Sequence, residues 1–439
     1  MERYNLYKDS GVEWIGEIPS HWEFKKFKHF ISKIIDNRGR TPELVESGIP
    51  YIEVKHINGD GYHPNFDTDN FITQNTYDTF LREYLKEGDV LFSTVGSILG
   101  KTSIFPPNRK GCIIQNVVGF RFNNLYVPIY MMFQLKTFVD RNHDLLVNNS
   151  NFQGSIKVST FKENLFISPP LSEQQQIVTF LDTKTKLIDS LIEKTQRKIE
   201  LLKEKRTSLI NEVVTKGLNP NVEMKDSGVE WIGEIPSHWL FTKFNRFVFF
   251  QEGPGLRTFQ FTDEGTKVIC VTNITEKGID FTYKKFISID EYFEKYQHFT
   301  VEKGDYLLSS SGNSWGKVSE YLDDEKVMLN TSTIRLNTLD SSIYNKSLIP
   351  HILKSEVVRK QLEILMTGSC QPNFGPSHLN QLVIPIPPLS EQQQIVEYLD
   401  EQTGLIDKTI SIEEKRIELL KEYRQSLISE VVTGKRKVD

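Results

Sequence analysis

KDSGVEWIGEIPSHW occupies residues 8–22 of this chain and recurs, letter for letter, at residues 225–239. A second passage, PPLSEQQQIV, occupies residues 169–178 and recurs at residues 387–396. The second copies begin 217 and 218 residues after the first, so the chain consists of two consecutive copies of one unit. Because this period far exceeds the roughly 20–50 residues of solenoid repeats, it indicates a duplicated domain set that can pack about a pseudo-two-fold axis.

Composition is typical of a globular protein. The 439 residues suffice for two to four domains of about 100–200 residues each, and 38% hydrophobic with 11% aromatic residues suits packed cores. No apolar run approaches the ~20 residues of a membrane span, and the first residues lack the apolar segment of a signal peptide. Three scattered cysteines without a CxxC pair argue against a disulfide framework or a zinc site. We therefore expect a cytoplasmic protein without a membrane partner.

The first part of each unit has the pattern of a mixed domain. In the first unit the β-branched and aromatic runs IPYIEV, GDVLFSTV and GCIIQNVVGFRFN predict strands, and residues 126–146 predict a helix. The second unit repeats this order with TKVICVTNI, GDYLLSSS, VMLNTSTIRLN and a helix around residues 348–366. We interpret each part as an α+β globular domain.

The end of each unit has the pattern of one long helix. Ser172 with Gln175 predicts a capping box, and Ser390 with Gln393 repeats it, so the helices are expected over 172–216 and 390–434. Beyond them apolar residues recur in alternating steps of four and three, which is typical of a coiled-coil seam with charged residues on the other faces. The apolar seam positions are Leu181, Ile188, Ile192, Ile199, Leu202 and Leu209 in the first helix and Leu399, Ile406, Ile410, Ile417, Leu420 and Leu427 in the second.

Each of these helices has a narrow apolar stripe and needs a partner of equal length, for which the other copy is the obvious candidate. Antiparallel pairing would place the two globular domains at opposite ends of a rod. Arg206 and Arg424 interrupt the seam at equivalent positions. Their side chains either extend along apolar surface with the head in water, or fix the register by pairing with an acidic residue such as Glu413.

These patterns together predict an α+β chain in which two similar globular domains are separated by two long antiparallel coiled-coil helices, as a pseudo-two-fold internal repeat. The predicted boundaries are residues 1–170 for the first domain and 171–217 for its helix. They are residues 218–388 for the second domain and 389–439 for its helix.

Motifs for catalysis are incomplete in both copies. GSILGKT at residues 96–102 resembles a P-loop, but Val95 stands where a Walker A motif has glycine, and Val318 replaces the Mg²⁺-binding hydroxyl in the second copy. IPYIEVK contains half of a nuclease motif, whereas the matching CVT at residues 270–272 has no carboxylate. His21 and His238, each beside a tryptophan, fit packed anchors better than catalytic groups. We predict no catalytic residue and no metal site on this chain.

Loop residues suited to contacting base edges fall at corresponding places in the two units, yet differ in identity. Arginine and lysine suit guanine, whereas asparagine and glutamine suit adenine. The net charge of −5 argues against electrostatic binding of DNA over the whole surface of the molecule. Binding through local basic loops is still compatible with this charge. The DNA-binding candidates are Arg38, Arg40, Thr41, Lys55, Asn58, Ser93, Thr94, Lys101, Asn116, Asn151 and Gln153 in the first unit, and Arg257, Thr272, Asn273, Ser309, Ser310, Asn313, Lys317, Asn330, Gln371 and Asn373 in the second.

The chain resembles the specificity subunit of a Type I restriction-modification system. The resemblance rests on GVEWIGEIPSHW, on the two closing sequences ISPPLSEQQQIVTFLD and IPIPPLSEQQQIVEYLD, and on a helix ending KIELLKEKRTSLINEVVTKG. It covers nearly the whole chain. It implies two target recognition domains, each recognising one half of a split double-stranded DNA sequence, with residues 38–41, 93–101 and 151–153 and their second-unit equivalents in recognition loops.

The resemblance also implies helices that fix the gap between the half-sites and dock two methyltransferase subunits. It implies no catalysis and no cofactor on this chain, S-adenosylmethionine on the methyltransferase partner, and ATP and Mg²⁺ on restriction subunits. Two alternatives stay open at this point. One is the specificity subunit of a related Type IIB-like enzyme in which cleavage and methylation share a partner. The other is a non-catalytic coiled-coil tethering protein.

Overall fold

The computed structural model describes residues 3–39, 41–57, 62–95, 99–147, 156–366 and 372–438. Two compact units emerge from the Cα positions: residues 1–194 together with 416–439, and residues 195–415. Each unit therefore combines one globular domain with a part of both long helices. Within the described ranges, no helix has the length and apolarity that crossing a membrane requires.

The first domain is built on short antiparallel strands. Its central sheet has four strands in the order Ile31–Ile35, Val117–Phe122, Val90–Ser93 and Thr102–Ile104. Three two-stranded sheets surround it: Tyr7–Asp9 with Glu17–Pro19, Glu23–Lys26 with Leu165–Ser168, and Ile49–Pro50 with Phe71–Ile72. Its helices are Gln74–Phe80, Pro128–Val147 and Val158–Phe161.

The second domain repeats this plan and enlarges it. Its four-stranded sheet has the order Val248–Glu252, Thr333–Thr338, Tyr306–Ser309 and Val318–Glu320. A five-stranded sheet adds Phe261–Thr262, Lys285–Ile287, Thr266–Ile269, Val327–Leu329 and Thr300–Val301. The remaining strands are Met224–Asp226, Glu234–Pro236, Leu240–Lys243, Ile274–Thr275, Gly278–Ile279 and Val383–Ile386, and the helices are Ile289–Glu291, Tyr292–Tyr296 (a π-helix), Ile349–Leu353, Glu356–Leu365 and Pro376–Leu379.

The duplicated α+β fold predicted from the sequence is confirmed, because the four-stranded sheets correspond strand by strand. In the first sheet Ser93 lies opposite Val117, and in the second Ser309 lies opposite Thr333. The helix expected around residues 348–366 is interrupted after residue 353, where Ser355 bonds back to the Ile352 carbonyl at 2.6 Å. Serine side chains compete for backbone carbonyls in this way, which favours a helix break.

Apolar cores cover both faces of each central sheet: Val90 and Phe92 pack in one buried cluster and Leu91 in another, as do Tyr306 and Leu308 against Leu307. Phe27, Phe120, Phe161 and Phe166 form an interlocking cluster in the first unit, with ring centroids 4.8–6.1 Å apart among the contacting pairs. Edge-to-face and offset contacts of this kind stabilise beyond the area that they bury. Part of each long helix contributes to the same cores.

The two long helices run over Leu171–Lys216 and Leu389–Val432, with 46 and 44 residues. Both therefore begin one residue before the predicted N-caps, so Ser172 and Ser390 lie inside the first turn and the prediction of their capping role is wrong. The carbonyls of Pro170 and Pro388 accept the first backbone bonds instead. The second proline of each diproline therefore stands immediately before the helix, where its fixed φ suits entry into the first turn.

The predicted seam is confirmed by burial. Leu181, Ile188, Ile199, Leu399, Ile406, Ile410, Ile417 and Leu427 are buried, and Ile192, Leu202, Leu209 and Leu420 are half-buried. In the second unit the Nζ of Lys198 lies 2.6 Å from Glu413, and the Nε of Arg206 lies 3.0 Å from Asp407. Since a later residue of one helix meets an earlier residue of the other, the paired segments are antiparallel.

The two seam arginines pair with carboxylates. Arg206 contacts Asp407 in the second unit, and Arg424 contacts Asp189 at 3.0 Å in the first. The predicted partner Glu413 is wrong, because its carboxylate is taken by Lys198. Asp189 and Asp407 are equivalent residues of the repeat, so the same arginine-aspartate pair occurs once in each unit. Such pairs at half-buried positions favour one register over neighbouring ones.

Candidate nucleic-acid interface

The two exactly repeated passages meet in space and form one joint per unit. In the first unit the indole Nε1 of Trp22 donates to Glu173 at 2.9 Å, and Nε2 of His21 lies 2.7 Å from the same carboxylate. In the second unit Trp239 and His238 contact Glu391 at 3.0 and 2.7 Å. Both tryptophans are fully buried, which agrees with the predicted anchor. The joint attaches each domain to the first turn of its long helix.

Each tryptophan also contacts the end of a long helix. A Cβ on Gly434 would lie 2.7 Å from the ring of Trp22, and a Cβ on Gly217 would lie 3.0 Å from the ring of Trp239. Both glycines have φ near +70°, a conformation that glycine adopts without strain. One buried indole therefore fixes the beginning of one long helix and the end of the other in each unit.

A loop edge lies at the ends of the central strands of the first unit. The backbone N–H of Thr94 donates to the carbonyl of Asn116 at 2.8 Å, and the Thr94 carbonyl accepts from Ile156 N–H at 2.8 Å. Nη1 of Arg38 reaches the Thr94 hydroxyl at 3.4 Å, and Nε2 of Gln115 donates to Thr41 at 2.9 Å. We call residues 36–41, 93–95, 115–116 and 156 the first loop edge, described without Arg40.

The second unit has an equivalent edge. The N–H of Ser310 donates to the carbonyl of Ser332 at 2.9 Å, and the Ser310 carbonyl accepts from Phe374 N–H at 3.0 Å. Ser311 pairs with Asn373 through an isolated bridge. We call residues 252–253, 309–313, 330–332 and 373–374 the second loop edge. Segments distant in sequence converge here.

One strained residue stands at the same place in both edges. Asn116 has φ of +58° and Ser332 has φ of +62°, and only one further non-glycine residue of the described chain, Asn108, has a positive φ. Each of the two directly precedes the longest strand of its central sheet and aims its carbonyl at the neighbouring strand end. Strained backbone of this kind is enriched at functional sites.

The predicted DNA-binding residues fall into four groups. Thr41, Lys55, Asn116, Arg257, Thr272, Asn313 and Asn373 are exposed, and Arg38, Lys101, Lys317 and Asn330 are half-buried. Ser93, Thr94, Asn273, Ser309 and Ser310 are buried. Arg40, Asn58, Asn151, Gln153 and Gln371 lie outside the described residues.

The prediction that the five buried residues contact DNA is corrected, because a buried side chain is not available to DNA. Ser93 Oγ accepts the N–H of Lys101 at 2.9 Å and so closes its own loop. The amide of Asn273 donates to the carbonyls of Asp280 and Tyr283 at 2.8 and 2.9 Å. These polar residues hold the loops in place, and polar composition alone does not distinguish that role from base contact.

Two of the cationic candidates of the first unit, Arg38 and Lys55, are paired with carboxylates of the same domain. The Arg38 guanidinium donates two hydrogen bonds to the carboxylate of Asp36, at 2.9 and 2.7 Å. These hydrogen bonds lower the pKa of Asp36, although burial alone would raise it. Lys55 lies 3.0 Å from Glu53. Among the described residues, no cluster of histidine, cysteine, aspartate and glutamate could hold a metal ion.

The sequence interpretation missed a second apolar stripe on the long helices. Tyr398, Leu405, Ile412 and Leu419 recur every seven residues on the second helix and are 37–59% exposed. The first helix exposes Leu187, Leu191 and Leu201 at 42–56%. The signal was present in the sequence as a heptad outside the seam, but the faces beyond the seam were assigned to charged residues.

Comparison with known proteins gives a consistent result. The family described as "Type I restriction modification DNA specificity domain" matches residues 19–201 and 236–422. The chain is 25% identical over 432 residues to the Type I restriction enzyme MjaVIII specificity subunit of Methanocaldococcus jannaschii, covering 96% of this chain and 94% of the relative. It is 36% identical over 87 residues to the Escherichia coli EcoKI specificity subunit, or 20% of this chain and 19% of the relative.

Solved structures share the fold. A chain from a study of complex assembly and conformational transition in the type I R-M system superposes with a TM-score of 0.72 at 16% identity, covering 94% of this chain and 98% of that one. The HsdS subunit of Thermoanaerobacter tengcongensis superposes with a TM-score of 0.55 at 15% identity, covering 98% and 100%. Because the family match extends over both halves of the duplicated fold, the chain belongs to the Type I restriction-modification DNA specificity family.

Proposed function

We propose that the two loop edges recognise the two halves of a bipartite DNA target, while the long helices set the gap and carry the partner subunits. The observation that carries this proposal is the pair of edges itself. The same backbone frame presents different side chains, such as Gln115 and Asn116 in one unit and Thr331 and Ser332 in the other. A backbone arrangement that both domains share, but that exposes different side chains in each, suits recognition of two different base sequences.

The chain itself contributes binding and geometry, and methylation and cleavage belong to partner subunits. We expect S-adenosylmethionine on two methyltransferase subunits, and ATP with Mg²⁺ on restriction subunits. The net charge of −5 favours partners that supply part of the contact with phosphates.

A map of modified bases tests the two-reader function. We expect the chain, expressed with its methyltransferase partner, to direct methylation to one bipartite motif. Replacing the exposed Gln115 with Ala should relax the sequence requirement in one half of the motif only, since one lost bidentate contact weakens discrimination by about 1–3 kcal/mol. Methylation without a sequence preference would contradict the proposal, and relaxation of both halves would contradict the assignment of one half to each edge.

The exposed stripe on the second helix supports docking of partner helices. Exposed apolar residues that recur at heptad spacing suit a partner that is itself helical. Tyr398, Leu405, Ile412 and Leu419 lie on one line along more than twenty residues.

We expect the Ile412→Asp variant to fold normally and to lose most affinity for the methyltransferase subunits, because Ile412 is 59% exposed in this chain. Size-exclusion chromatography of the mixed subunits measures the loss. The matched control is Ser411→Asp, which introduces the same charge at an exposed neighbour outside the stripe. Assembly of both variants at the wild-type level would refute docking at the stripe.

A further inference from the structure

We propose that a cavity beside the first loop edge binds one phosphate group of the DNA backbone, an inference that rests on the proposed function. The cavity has a volume of about 630 Å³. Its lining includes the buried Ile156 and Val158 and three cationic side chains, Arg38, Lys157 and Lys162. An apolar wall with several cations suits a sugar-phosphate segment better than a free carboxylate or a metal ion.

Two of the three cations are available to a ligand. Arg38 is engaged by Asp36, so that pair contributes little net charge. Lys157 is exposed and Lys162 is half-buried, and neither has an ion-pair partner within the part of the chain that the structure describes. The cavity therefore carries about two positive charges without compensation.

The acidic residue next to Lys162 in sequence does not cancel this charge. Glu163 is exposed and lies 2.8 Å from Lys26 and 3.0 Å from Lys28. Hydrogen bonds from these two lysines lower the pKa of Glu163 to about 2, so its carboxylate stays ionised and paired at neutral pH. Glu163 is therefore engaged by Lys26 and Lys28 and not by Lys162.

The position of the cavity suits backbone contact next to base contact. Ile156 and Arg38, which line it, both bond to Thr94 at the centre of the first loop edge, at 2.8 and 3.4 Å. A duplex that presents bases to Asn116 and Gln115 therefore passes its backbone close to the lysines. Phosphate contacts of this kind fix the position of a protein on DNA while base contacts specify the sequence.

The second unit lacks the charges. Phe374 takes the place of Ile156, because its N–H bonds to Ser310 as that of Ile156 bonds to Thr94. Counting onward from this pair, Gly375 replaces Lys157 and Asn380 replaces Lys162. Moreover, a Cβ on Gly375 would lie 3.1 Å from the carboxylate of Glu252. The inferred phosphate site therefore belongs to the first domain.

Salt-dependent binding of target DNA tests the inference. The affinity for target DNA is measured for the full chain assembled with methyltransferase subunits and for a variant carrying Lys157→Gln and Lys162→Asn. The salt concentration is varied from about 50 to about 300 mM. We expect the slope of log affinity against log salt to fall by about one, and the affinity to fall roughly tenfold at 0.1 M salt, with the base preference unchanged. The control Lys86→Gln removes an exposed lysine that precedes the opposite end of strand Val90–Ser93 and should leave the slope unchanged.

Two results would overturn the inference alone. One is an unchanged slope in the double variant with wild-type DNA selectivity, which would leave the proposed function intact. The other is a titration in which inorganic phosphate or AMP binds the wild type but not the double variant, although both bind DNA equally well. That result would make the cavity a small-molecule site. Absence of selective DNA binding by the wild type would instead remove the proposed function and the inference together. Equal thermal midpoints of the variants establish that folding is retained.

Discussion

A half-chain of residues 1–222 is expected to form a homodimer that recognises a palindromic split target. In the intact first unit, the second helix contributes Leu427 and Val431 to the core. Their equivalents in the first helix are Leu209 and Val213. A second copy of the half-chain can therefore supply the same side chains in an antiparallel arrangement, and its Gly217 can take the place of Gly434 against Trp22. Unpaired, the first helix would expose the seam residues beyond Ile188, which is too costly for a soluble monomer.

Light scattering measures the mass of the half-chain, and selection from random duplexes gives its target. We expect a dimer, and a motif in which the first half-site occurs twice in inverted orientation. The control carries Ile199→Asp, which places a charge at a seam position that is 2% exposed and should prevent dimerisation. A folded, soluble monomer of the unaltered half-chain would contradict the prediction and the role of the seam.

The sequence predicted the duplicated fold, the long helices and the seam because these depend on periodicity and on exact repetition. It failed where identical residues have different surroundings. Trp14 and Trp231 occupy the same position in the repeated passage, yet Trp14 is 7% exposed and Trp231 is 42% exposed. Trp14 packs edge-on against Phe138 and Phe166, and the strand position of Phe166 is taken by the smaller Ile384 in the second unit.

The candidate site was predictable only as a set of loops. The sequence placed Asn116, Asn313 and Asn373 in loops, and all three are exposed at the loop edges. It could not separate them from Asn273 or Ser93, because the same polar side chain serves either a ligand or the backbone of its own loop. Which of these two roles a polar side chain has depends on which backbone carbonyl and N–H groups the fold leaves unpaired.

The substitution Trp22→Ala is expected to destabilise the first unit by about 3–5 kcal/mol, and Trp239→Ala the second by a similar amount. Each change removes a fully buried ring that packs on a helix-terminal glycine, and it also deprives the carboxylate of Glu173 or Glu391 of its indole donor. Burial alone would raise the pKa of Glu173. Hydrogen bonds from Trp22, His21 and Tyr4 outweigh that effect and hold the pKa below its ordinary value.

A depressed carboxylate pKa contributes stability that is present above the unfolded-state value of about 4.3 and is lost as pH falls through the folded-state pKa. We therefore expect the Trp22→Phe variant to lose about 1–3 kcal/mol at pH 7, since it retains an aromatic ring but leaves Glu173 with one fewer donor. The difference between this variant and the wild type should narrow below pH 4, where protonation of Glu173 removes the charge that the indole stabilises.

Thermal unfolding followed by calorimetry tests whether Trp22 joins the first domain to its long helix or is only a buried side chain. At roughly 2–4 °C per kcal/mol for a unit of this size, Trp22→Ala should lower the transition of the first unit by about 10 °C and leave the second transition in place. Trp231→Ala is the matched control, because this half-exposed indole lies in the same repeated passage and should change stability little. Equal shifts for Trp22→Ala and Trp231→Ala would show that the Trp22 side chain does not join the first domain to its long helix.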